Sequence, residues 1–383
     1  MNLLIFNALS WEQRKLEDIV EFLDTLRKPL TENTRTKGPY PYYGASGVVD
    51  HVADYLFNEE LILLSEDGAN ITDRNYPVCF LASGKYWVNN HAHVLRAKPK
   101  MDNNFICMSL ERKDYSNYNT GMAMPKLNQD TCRRIPVDCP SYEEQKKIGD
   151  YFRSLDNLIT LHQRKYEKLQ IIKKSMLENC FPKNGEKVPK IRFSGFTGDW
   201  EQRKLAELVT RYEDPVETPH DGYIRLGIRS HAKGTFHEYV EPGHELETAQ
   251  MHRVAANKLI FNITFAWEHA VAITTEDDAG KLVSHRFPQF SLSELLRPEF
   301  LKYVILDEGF HHKLYLASPG GAGRNRVLKV DEALDYSIFF PSVEEQHKLG
   351  EFLNQLNDLI TLHQSELEKL QKIKKSLLER MFV

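Results

Sequence analysis

The sequence predicts an α+β protein in which two sheet-containing globular domains are separated by two long antiparallel helices, coiled-coil-like, with an internal pseudo-twofold duplication. Three observations predict this architecture. Residues 141–181 recur at residues 342–382 with 24 identities in 41 aligned positions. The text WEQRKL occurs at residues 11–16 and again at residues 200–205. Each copy of that text precedes a variable stretch with short apolar runs, so we expect one unit to have been used twice.

Both copies of the long repeat read as amphipathic helices. They contain no proline, and each has a single glycine, Gly149 or Gly350. Their apolar residues recur at alternating intervals of three and four, the period of a buried helix face. At 1.5 Å per residue each helix would be roughly 55 to 60 Å long, more than one domain needs to close its core. The residues expected on the seam between the helices are Leu155, Ile159, His162, Leu169, Leu356, Ile360, His363 and Leu370.

Two of these seam residues are histidines at equivalent positions near the helix midpoints. If the helices cross antiparallel about a pseudo-twofold axis, His162 and His363 should lie close to that axis. One interpretation is a polar layer that fixes the register of the helices. The alternative, equally open, is that each histidine covers a partly exposed seam.

The start of each long helix carries a capping text. Ser141 and Ser342 are each followed by two glutamates within the first turn, as in a capped helix N-terminus. Asp138, Glu144 and Lys146 faintly resemble a metal-dependent nuclease motif. The duplicate has phenylalanine and histidine in place of the aspartate and the lysine, so we interpret the text as a helix start.

The repeats divide the chain into five predicted segments. Between the two halves lies a linker with proline, glycine and basic residues, which contains VPKIRFSGF; nothing comparable precedes the first WEQRKL. Runs such as LILLS and YIRLGI read as strands in the two variable stretches. Gly84-Lys85 in the first stretch is echoed by Gly280-Lys281 in the second. The segments are a first globular domain at 1–140, a first helix at 141–181, the linker at 182–199, a second globular domain at 200–341 and a second helix at 342–383.

Bulk composition excludes several classes of protein. The 383 residues are 41% hydrophobic and 27% charged, which is typical of a globular protein of two or three domains. No apolar run is long enough for a membrane span, and the first residues lack the basic start of a signal peptide, so we expect a cytoplasmic protein. A net charge of −4 argues against coating nucleic acid by bulk charge. The five cysteines show no CxxC spacing and are expected to be reduced thiols: Cys79, Cys107, Cys132, Cys139 and Cys180.

Catalytic sequence motifs are missing, whereas basic segments without acidic residues are present. The sequence has no P-loop, no GxGxxG after a predicted strand and no HExxH or Cys/His zinc array. Residues 82–100, 222–237 and 311–329 carry lysine and arginine without any aspartate or glutamate. Such segments are candidate phosphate-facing surfaces, although each alone is more often a solvated face. Residues 37–47, KGPYPYYGASG, read as a rigid aromatic loop.

Polar and basic side chains in these stretches are the candidates for base reading. We expect Trp87 and Trp267 to pack in the core instead. The candidates in the first domain are Tyr43, Ser46, Lys85, Asn90 and His91, and those in the second are Arg229, His231, Lys233, His285, Arg324 and Arg326.

The layout resembles the DNA specificity subunit of type I restriction-modification systems. The resemblance rests on VPKIRFSGFTGDWEQRKL, the PSxEEQxKxG helix start, the DNLITLHQ and EKLQxIKKS runs and GRNRVLKVDE. It implies that the globular domains are target recognition domains, each reading one half of a bipartite, asymmetric site in double-stranded DNA. It also implies that the helices dock two methyltransferase subunits, with motor-nuclease subunits joining for restriction. S-adenosylmethionine, ATP and magnesium, with adenine methylation and ATP-dependent cleavage, would then belong to those partners, and this chain would bind none of these cofactors and no metal.

The length of the helices would then set the distance between the two recognition domains. One turn of B-DNA is about 34 Å, so helices of roughly 55 to 60 Å can place these domains about one turn apart. We expect a heptad inserted into residues 141–181 to change the recognised spacer and leave both half-sites intact. A protein-interaction scaffold without direct DNA readout is the alternative function, and an enzyme with its own nuclease chemistry at Asp138 and Glu144 is a third possibility.

Overall fold

The computed structural model of the protein describes residues 11–183, 185–245, 250–320 and 326–382. The chain divides into two compact units. The first unit comprises residues 1–165 and 363–383, and the second comprises residues 166–362. Each unit therefore contains one predicted globular domain and a part of each long helix. The boundary between the units falls within both helices, which the sequence suggested as separate segments.

The first unit combines short strands and helices with the beginning of the first long helix. Three-residue 3-10 turns lie at Asp24–Leu26, Glu32–Thr34 and Ser116–Tyr118. The strands are β1 (Glu12–Lys15), β2 (Val20–Phe22), β3 (Lys37–Gly44), β4 (Gly47–Val52), β5 (Phe57–Asn58), β6 (Leu61–Ser65), β7 (Cys79–Ala82), β8 (Lys85–Val88), β9 (Ala92–Ala97) and β10 (Pro136–Cys139). The helices are α1 (Leu16–Ile19), α2 (Asn70–Asp73), α3 (Asn103–Arg112), α4 (Gln129–Arg133) and α5 (Tyr142–Asn179).

The second unit repeats this plan. Its 3-10 turns lie at Ala266–Glu268 and Glu276–Asp278. The strands are β11 (Glu201–Lys204), β12 (Val209–Tyr212), β13 (Pro215–Val216), β14 (Tyr223–Ile228), β15 (Thr235–Val240), β16 (Met251–Arg253), β17 (Lys258–Phe261), β18 (Val271–Ile273), β19 (Leu282–Ser284), β20 (Gln289–Leu292) and β21 (Ser337–Phe340). The helices are α6 (Leu205–Leu208), α7 (Pro298–Val304), α8 (Glu308–Leu316), α9 (Val330–Leu334) and α10 (Val343–Met381).

The sheets of the two units have the same topology. The first unit has sheets in the order β2-β9-β6-β7 and β4-β3-β8-β5, and β1 pairs with β10. The second unit has β12-β20-β17-β18 and β13-β16-β19-β14-β15, and β11 pairs with β21. Strands correspond one to one, with β13 as an addition at one edge. The two unlike variable stretches therefore share one fold.

Strand β6 shows how its sequence builds the core. All five residues of LILLS are buried, because both faces of the strand are covered. Ile62 and Leu64 point into a cluster with α3 and the start of α5. Leu61 and Leu63 point to the opposite face, into a cluster with β8 and β9. The alternation follows from the two-residue period of a strand, so one strand serves two cores.

Residues 37–47 form a hairpin, in contrast to the rigid loop that the sequence suggested. Most of this segment is β3, which pairs with β4 through irregular register shifts between Lys37 and Tyr40 and between Tyr42 and Tyr43. Prolines cannot donate to a regular ladder, and such irregularities accommodate them. The aromatic run thus belongs to a sheet.

Both long helices begin as predicted. The backbone N–H of Glu144 lies 3.4 Å from Ser141 Oγ, and that of Glu345 lies 3.4 Å from Ser342 Oγ. Asp138 lies on β10, where its carboxylate accepts a hydrogen bond from Gln13. Within the described ranges, no group of three or more His, Cys, Asp or Glu side chains is placed to hold a metal ion. Of the nuclease-like residues, Asp138 therefore lies on a strand, and Glu144 and Lys146 lie in the first two turns of α5.

Within the first unit, the start of α5 and the end of α10 run antiparallel. His162 Nδ1 lies 3.2 Å from His363 Nδ1, and their ring centroids are 5.1 Å apart. Farther along, Lys374 Nζ lies 2.6 Å from Asp156 Oδ1. Among the predicted seam residues, Leu155 and Leu356 are buried and the other six are half-buried: Ile159, His162, Leu169, Ile360, His363 and Leu370.

An aromatic trio closes each unit at the WEQRKL motif. In the first unit Trp11, Phe105 and Phe382 meet with centroid separations of 5.7, 6.1 and 5.4 Å. Trp200, Phe300 and Phe181 form the same trio in the second unit, at 5.8, 6.1 and 5.7 Å. The end of α10 therefore completes the first unit, as the end of α5 completes the second.

All five cysteines are buried free thiols. No helix in the described part of the chain has the length and apolar character that a membrane crossing would need.

Candidate nucleic-acid interface

In the first unit, most of the predicted reading residues gather at one edge of a sheet. Strands β3 and β8 are parallel, so their carboxyl ends lie at the same edge. The turn after β3 holds Ser46, and the loop after β8 holds Asn90 and His91, all with exposed side chains. The Asn89 N–H donates to Tyr43 O at 3.0 Å and ties the loop to the hairpin. We name residues 43–47 and 89–91 the first loop edge.

Hydrogen bonds from the neighbouring strand end support this edge. Ser65 Oγ donates to Ala45 O at 2.5 Å, and the Glu66 N–H donates to His91 O at 2.9 Å. His91 Nδ1 lies 2.9 Å from both carboxylate oxygens of Asp67. His91 is therefore held in place and paired with a carboxylate, so it is a weaker candidate for a phosphate contact.

Two of the predicted residues have other surroundings. The Tyr43 ring packs against Phe80 and Tyr86, and burial raises the pKa of Tyr43. Lys85 lies at the opposite end of β8, where its Nζ is 4.7 Å from the Tyr55 ring centroid. The structure thus brings Ser46, Asn90 and His91 together, with Tyr43 beneath them and Lys85 apart.

A buried charged network lies beneath the first loop edge. His93 Nδ1 is 2.6 Å from Asp24 Oδ2, and His93 Nε2 is 2.7 Å from Leu127 O. Burial lowers the pKa of His93, but hydrogen bonds and charge interactions with Asp24 and Cys132 together outweigh it, so the pKa rises to about 10. Burial raises the pKa of Asp24, yet His93 and the Val94 N–H outweigh it and hold that pKa below its ordinary value. His93 is thus a structural cation.

In the second unit, the corresponding hairpin turn holds three predicted residues. Arg229, His231 and Lys233 lie in or beside the turn between β14 and β15, and all three are exposed. The His231 N–H donates to Glu268 O at 2.8 Å, which fixes the turn on the 3-10 turn beside it. His231 has a φ of 60°, in the left-handed region. The Arg229 side chain bonds Thr235 O and lies over Phe236.

Arg326 stacks on two aromatic rings near this hairpin. Its guanidinium carbon is 4.4 Å from the Tyr315 centroid and 5.7 Å from the Trp267 centroid. Arg324 was predicted beside it and lies outside the described residues. Packing of Trp87 and Trp267 in the core was the wrong expectation: both are half-buried, and their indole N–H groups donate to Lys28 O at 2.6 Å and Thr264 O at 3.1 Å.

His285 lies in the turn between β19 and β20, which corresponds to the Asn90 loop of the first unit. Its neighbour Arg286 is exposed and forms no ion pair with any residue that the structure describes. Arg286 is not among the residues predicted from the sequence. The tripeptide Ser284-His285-Arg286, which lies between two strand-like runs, was the signal that could have indicated it. We name residues 229–234, 285–286 and 326 the second loop edge.

The two loop edges occupy corresponding places in one topology. The β3–β4 turn corresponds to the β14–β15 turn, and the β8–β9 loop corresponds to the β19–β20 loop. Lys85 likewise has Lys281 as its counterpart, each following a glycine with positive φ. The second edge is the more cationic, whereas the first is mainly a set of hydrogen-bonding groups.

The basic segments in the sequence are only partly basic surfaces in space. In the segment 82–100, Arg96 pairs with Glu59 at 2.6 Å and Glu21 at 2.9 Å. Hydrogen bonds to these two carboxylates raise its pKa. Arg96 is therefore committed to a surface ion-pair network, so the segment as a whole is not a phosphate-facing strip.

Comparisons with known proteins point in one direction. A family described as type I restriction modification DNA specificity domain matches residues 9–170. A putative type I restriction enzyme specificity subunit of Haemophilus influenzae is 32% identical over 137 residues, which are 36% of this chain and 35% of that protein. The MjaVIII specificity subunit of Methanocaldococcus jannaschii is 25% identical over 398 aligned positions, which cover 96% of this chain and 91% of that one.

One solved structure shares the fold over the whole chain. The crystal structure of a type I restriction-modification S subunit from M. genitalium aligns with a TM-score of 0.66 at 11% identity, and the alignment covers 100% of this chain and 98% of the other. This likeness concerns the fold, and it agrees with the α+β duplicated architecture described above.

Proposed function

We propose that the chain, whose residues 9–170 match the type I restriction modification DNA specificity domain, is the noncatalytic subunit that reads a bipartite, asymmetric DNA site, one half-site per unit. The observation that carries this proposal is the pair of corresponding loop edges. Each combines an exposed hairpin turn with a second loop at the same edge of a sheet. One fold thus presents two different sets of side chains.

The chemistry of the edges suits groove contacts. An amide such as that of Asn90 can bond adenine in the major groove, and an arginine such as Arg286 can bond guanine or a phosphate. Lys233 is exposed and forms no ion pair in the described part of the chain, so it is available to neutralise a phosphate. Since the two edges carry different sets of exposed side chains, the two half-sites should differ in sequence.

The direct test is methylome sequencing of cells that carry this chain with its methyltransferase partner. The unaltered chain should give two half-sites and one spacer. Ser46→Ala with Asn90→Ala should relax or weaken only one half-site, and Lys233→Ala with Arg286→Ala should affect only the other. Lys190→Ala, an exposed linker substitution, is the matched control and should leave the pattern unchanged. If either double variant altered both half-sites equally, the assignment of one unit to each would fail.

Salt dependence separates DNA reading from a protein scaffold. Phosphate contacts release counterions, so the observed association constant for DNA should fall with a log–log slope of about −0.9 per contacted phosphate. Removing the Lys233 and Arg286 charges should make that slope shallower by about one unit for each phosphate that is no longer neutralised. An association constant for DNA that does not change with salt concentration would favour a protein scaffold without direct DNA readout.

Docking of two methyltransferase subunits is supported by a duplicated apolar surface. Leu158 and Leu161 on α5 are 43% and 45% exposed, and their counterparts Leu359 and Leu362 on α10 are 45% and 53% exposed. Equivalent leucines left exposed in both copies of LITL, at residues 158–161 and 359–362, fit two copies of one partner.

This docking proposal is tested by counting subunits. Leu158→Asp with Leu161→Asp should give complexes with one methyltransferase subunit, and the same change at Leu359 and Leu362 as well should give none. Native mass spectrometry reads the stoichiometry. Ile171→Asp is the control, because this residue is 70% exposed yet has lysine as its counterpart. Two bound subunits in the first variant would contradict the proposal.

We place catalysis in the partners: S-adenosylmethionine in the methyltransferase subunits, and ATP with magnesium in the motor-nuclease subunits. The helix cap at Ser141 supports this, because it accounts for the acids around Asp138 without any chemistry. Asp138→Asn should leave methylation and cleavage by the assembled complex unchanged. Loss of cleavage alone would make this chain a nuclease.

A further inference from the structure

A loop of the first unit that carries two exposed methionines lies outside the sites described above. It comprises residues 119–126, NTGMAMPK, between the 3-10 turn at Ser116–Tyr118 and α4. Met122 is fully exposed, more than any other large apolar side chain that the structure describes, and Met124 is 61% exposed. We name residues 119–126 the methionine loop. Its apolar tip forgoes the stabilisation that burial would give, so a binding partner that covers the tip would gain from it.

Hydrogen bonds hold the methionine loop in a closed shape. Asn119 Oδ1 accepts from the backbone N–H groups of Gly121 and Lys126, both at 2.9 Å, and the Thr120 N–H donates to Lys126 O at 2.8 Å. A Cβ on Gly121 would clash with Met124 O, so this tight turn requires a glycine. The loop is therefore a narrow, internally bonded projection rather than a loose connection.

The methionine loop is fixed beside the first loop edge. The Gly68 N–H donates to Pro125 O at 3.0 Å, and Asp67 pairs with Lys126 as an isolated β-bridge. The carboxylate of the same Asp67 lies 2.9 Å from Nδ1 of His91, which belongs to the first loop edge. One residue thus joins the methionine loop to the groups proposed to read bases.

The second unit has the corresponding segment at its own loop edge. At the repeat offset of 201, α4 corresponds to α9 and Pro125 to Arg326. The backbone N–H groups of Leu127 and Leu328 donate at 2.7 and 2.8 Å to carbonyls just after β6 and β17, so the two segments enter their units in the same way. Arg326 is part of the second loop edge. The internal duplicate therefore assigns this segment to the DNA-reading side of a unit.

The composition of the segment suits contact with DNA. Residues 115–128 contain no aspartate or glutamate, so no carboxylate of this stretch would repel a phosphate. Methionine is unbranched and flexible, and apolar side chains of this kind enter between base steps, unstack them and bend the duplex. A narrow apolar tip fits such a step better than it fits a flat protein surface.

We propose that Met122, with Met124 beside it, is an apolar wedge that enters a base step at the edge of the first half-site and unstacks it. The wedge rests on the proposed function, since it takes DNA reading by the first unit as given. It adds a kind of readout that the hydrogen-bonding groups of the first loop edge do not supply. A wedge selects steps that open easily, so it favours a pyrimidine–purine step such as TA or CA.

The wedge is tested with 2-aminopurine, a base analogue that fluoresces more strongly when it is unstacked. The complex of this chain with its methyltransferase partner is mixed with duplexes of the recognised site, each with the analogue at one position in or beside the first half-site. The base that the partner methylates is left unlabelled, because methyltransferases extrude their target base themselves. Fluorescence should rise about twofold or more at one step.

Variants of Met122 identify the side chain that opens the step. Met122→Gln, which is similar in length but polar, should return the fluorescence to the level of the free duplex. Met122→Leu keeps an apolar side chain and should keep most of the signal. Ile171→Gln removes an equally isolated apolar side chain, 70% exposed on α5, and is the matched control that should leave the signal unchanged.

A mismatched base pair at the same step supplies an independent readout. The mismatch removes the unstacking cost in advance, so the unaltered complex should bind that duplex about tenfold more tightly than the matched one. The Met122→Gln complex should bind the two duplexes equally. Its salt slope should equal that of the unaltered complex, because methionine neutralises no phosphate.

Unstacking that persists in the Met122→Gln complex, or no unstacking at any labelled step, would overturn the wedge. If half-site recognition still depended on Ser46 and Asn90 in that case, the proposed function would stand without it. A complex that failed to bind its DNA at all would overturn both. Loss of a methyltransferase subunit from the Met122→Gln complex, seen by native mass spectrometry, would make the loop a protein contact and likewise contradict the wedge.

Discussion

Single residues decide how closely the helices approach the units. A Cβ on Gly149 would lie 2.3 Å from Asp102 Oδ1, and one on Gly350 would lie 2.6 Å from Glu299 Cγ. Asp102 caps α3 by accepting from the Phe105 N–H at 2.8 Å, so it cannot move freely. The single glycine in each long helix is therefore required by a close approach, although glycine disfavours a helix.

Gly149→Ala should destabilise the first unit despite a gain in helix propensity of about 1 kcal/mol. The clash with Asp102 costs about 1 to 3 kcal/mol as overpacking, so the free energy of unfolding in urea should fall. Ser154→Ala on the same helix is the control, because that side chain is exposed and its hydroxyl donates only to Asp150 O within the helix, at 2.8 Å, so the change introduces no clash. A Gly149→Ala protein more stable than the unaltered one would show that α3 gives way.

His93 should make stability depend on alkaline pH. The folded group keeps its proton up to about pH 10, whereas the unfolded group loses it near its ordinary value of 6.5. The folded state therefore binds more protons in that window. Its stabilising contribution is complete below about pH 6.5 and declines by at most about 1.4 kcal/mol per pH unit as the pH rises.

Urea unfolding at pH 7 to 8.5 should show this decline. His93→Gln should be less stable at pH 7, because Asp24 loses the closer of its cationic partners, His93 and Arg27, and its curve should be flatter over the same range. Parallel curves for the two proteins would mean that His93 does not titrate in this way.

At the scale of elements, the two long helices were predicted from sequence to within two residues at their starts, because their period persists over ten turns and serine caps mark the beginning. Strands β6 and β14 were equally visible as short apolar runs. Strand β3 was missed, since its two prolines are typical of a loop and only pairing with β4 and β8 makes it a strand.

Of the candidate site, the sequence located the loop edges better than the partners of their side chains. Ser46, Asn90, His231 and Lys233 are exposed at corresponding turns. His91 faces Asp67, and Arg96 faces Glu21 and Glu59. These pairs depend on contacts between distant segments, which a local absence of acidic residues in the sequence cannot reveal.

The heptad prediction becomes sharper because both helices pass from one unit to the other. A heptad inserted into α5 alone would mismatch the helices, so a matched pair is needed, after Lys165 and after Leu362. Both sites keep the His162–His363 contact within the first unit. Methylome sequencing should show both half-sites unchanged and a spacer longer by about 10 Å of DNA, or about three base pairs. Altered half-sites with the old spacer would contradict the prediction.

At the scale of the whole molecule, each unit is completed by the helix that starts in the other. Phe382→Ala should destabilise the first unit and Phe181→Ala the second, each by about 2 to 4 kcal/mol, as for a large-to-small change in a partly buried cluster. Hydrogen exchange reads the units separately: protection should fall in α3 for Phe382→Ala and in α7 for Phe181→Ala. Loss of protection in the opposite unit would contradict the closure of the trios.

This closure has a consequence for biosynthesis. A chain made on the ribosome emerges from its N-terminus, and domains usually fold in that order. Here the second unit is made from the continuous residues 166–362, whereas the first needs residues 363–382 as well. The part that is translated first is therefore finished last. Until α10 emerges, Trp11 and Phe105 lack the ring of Phe382, so the nascent first unit stays open while the second closes.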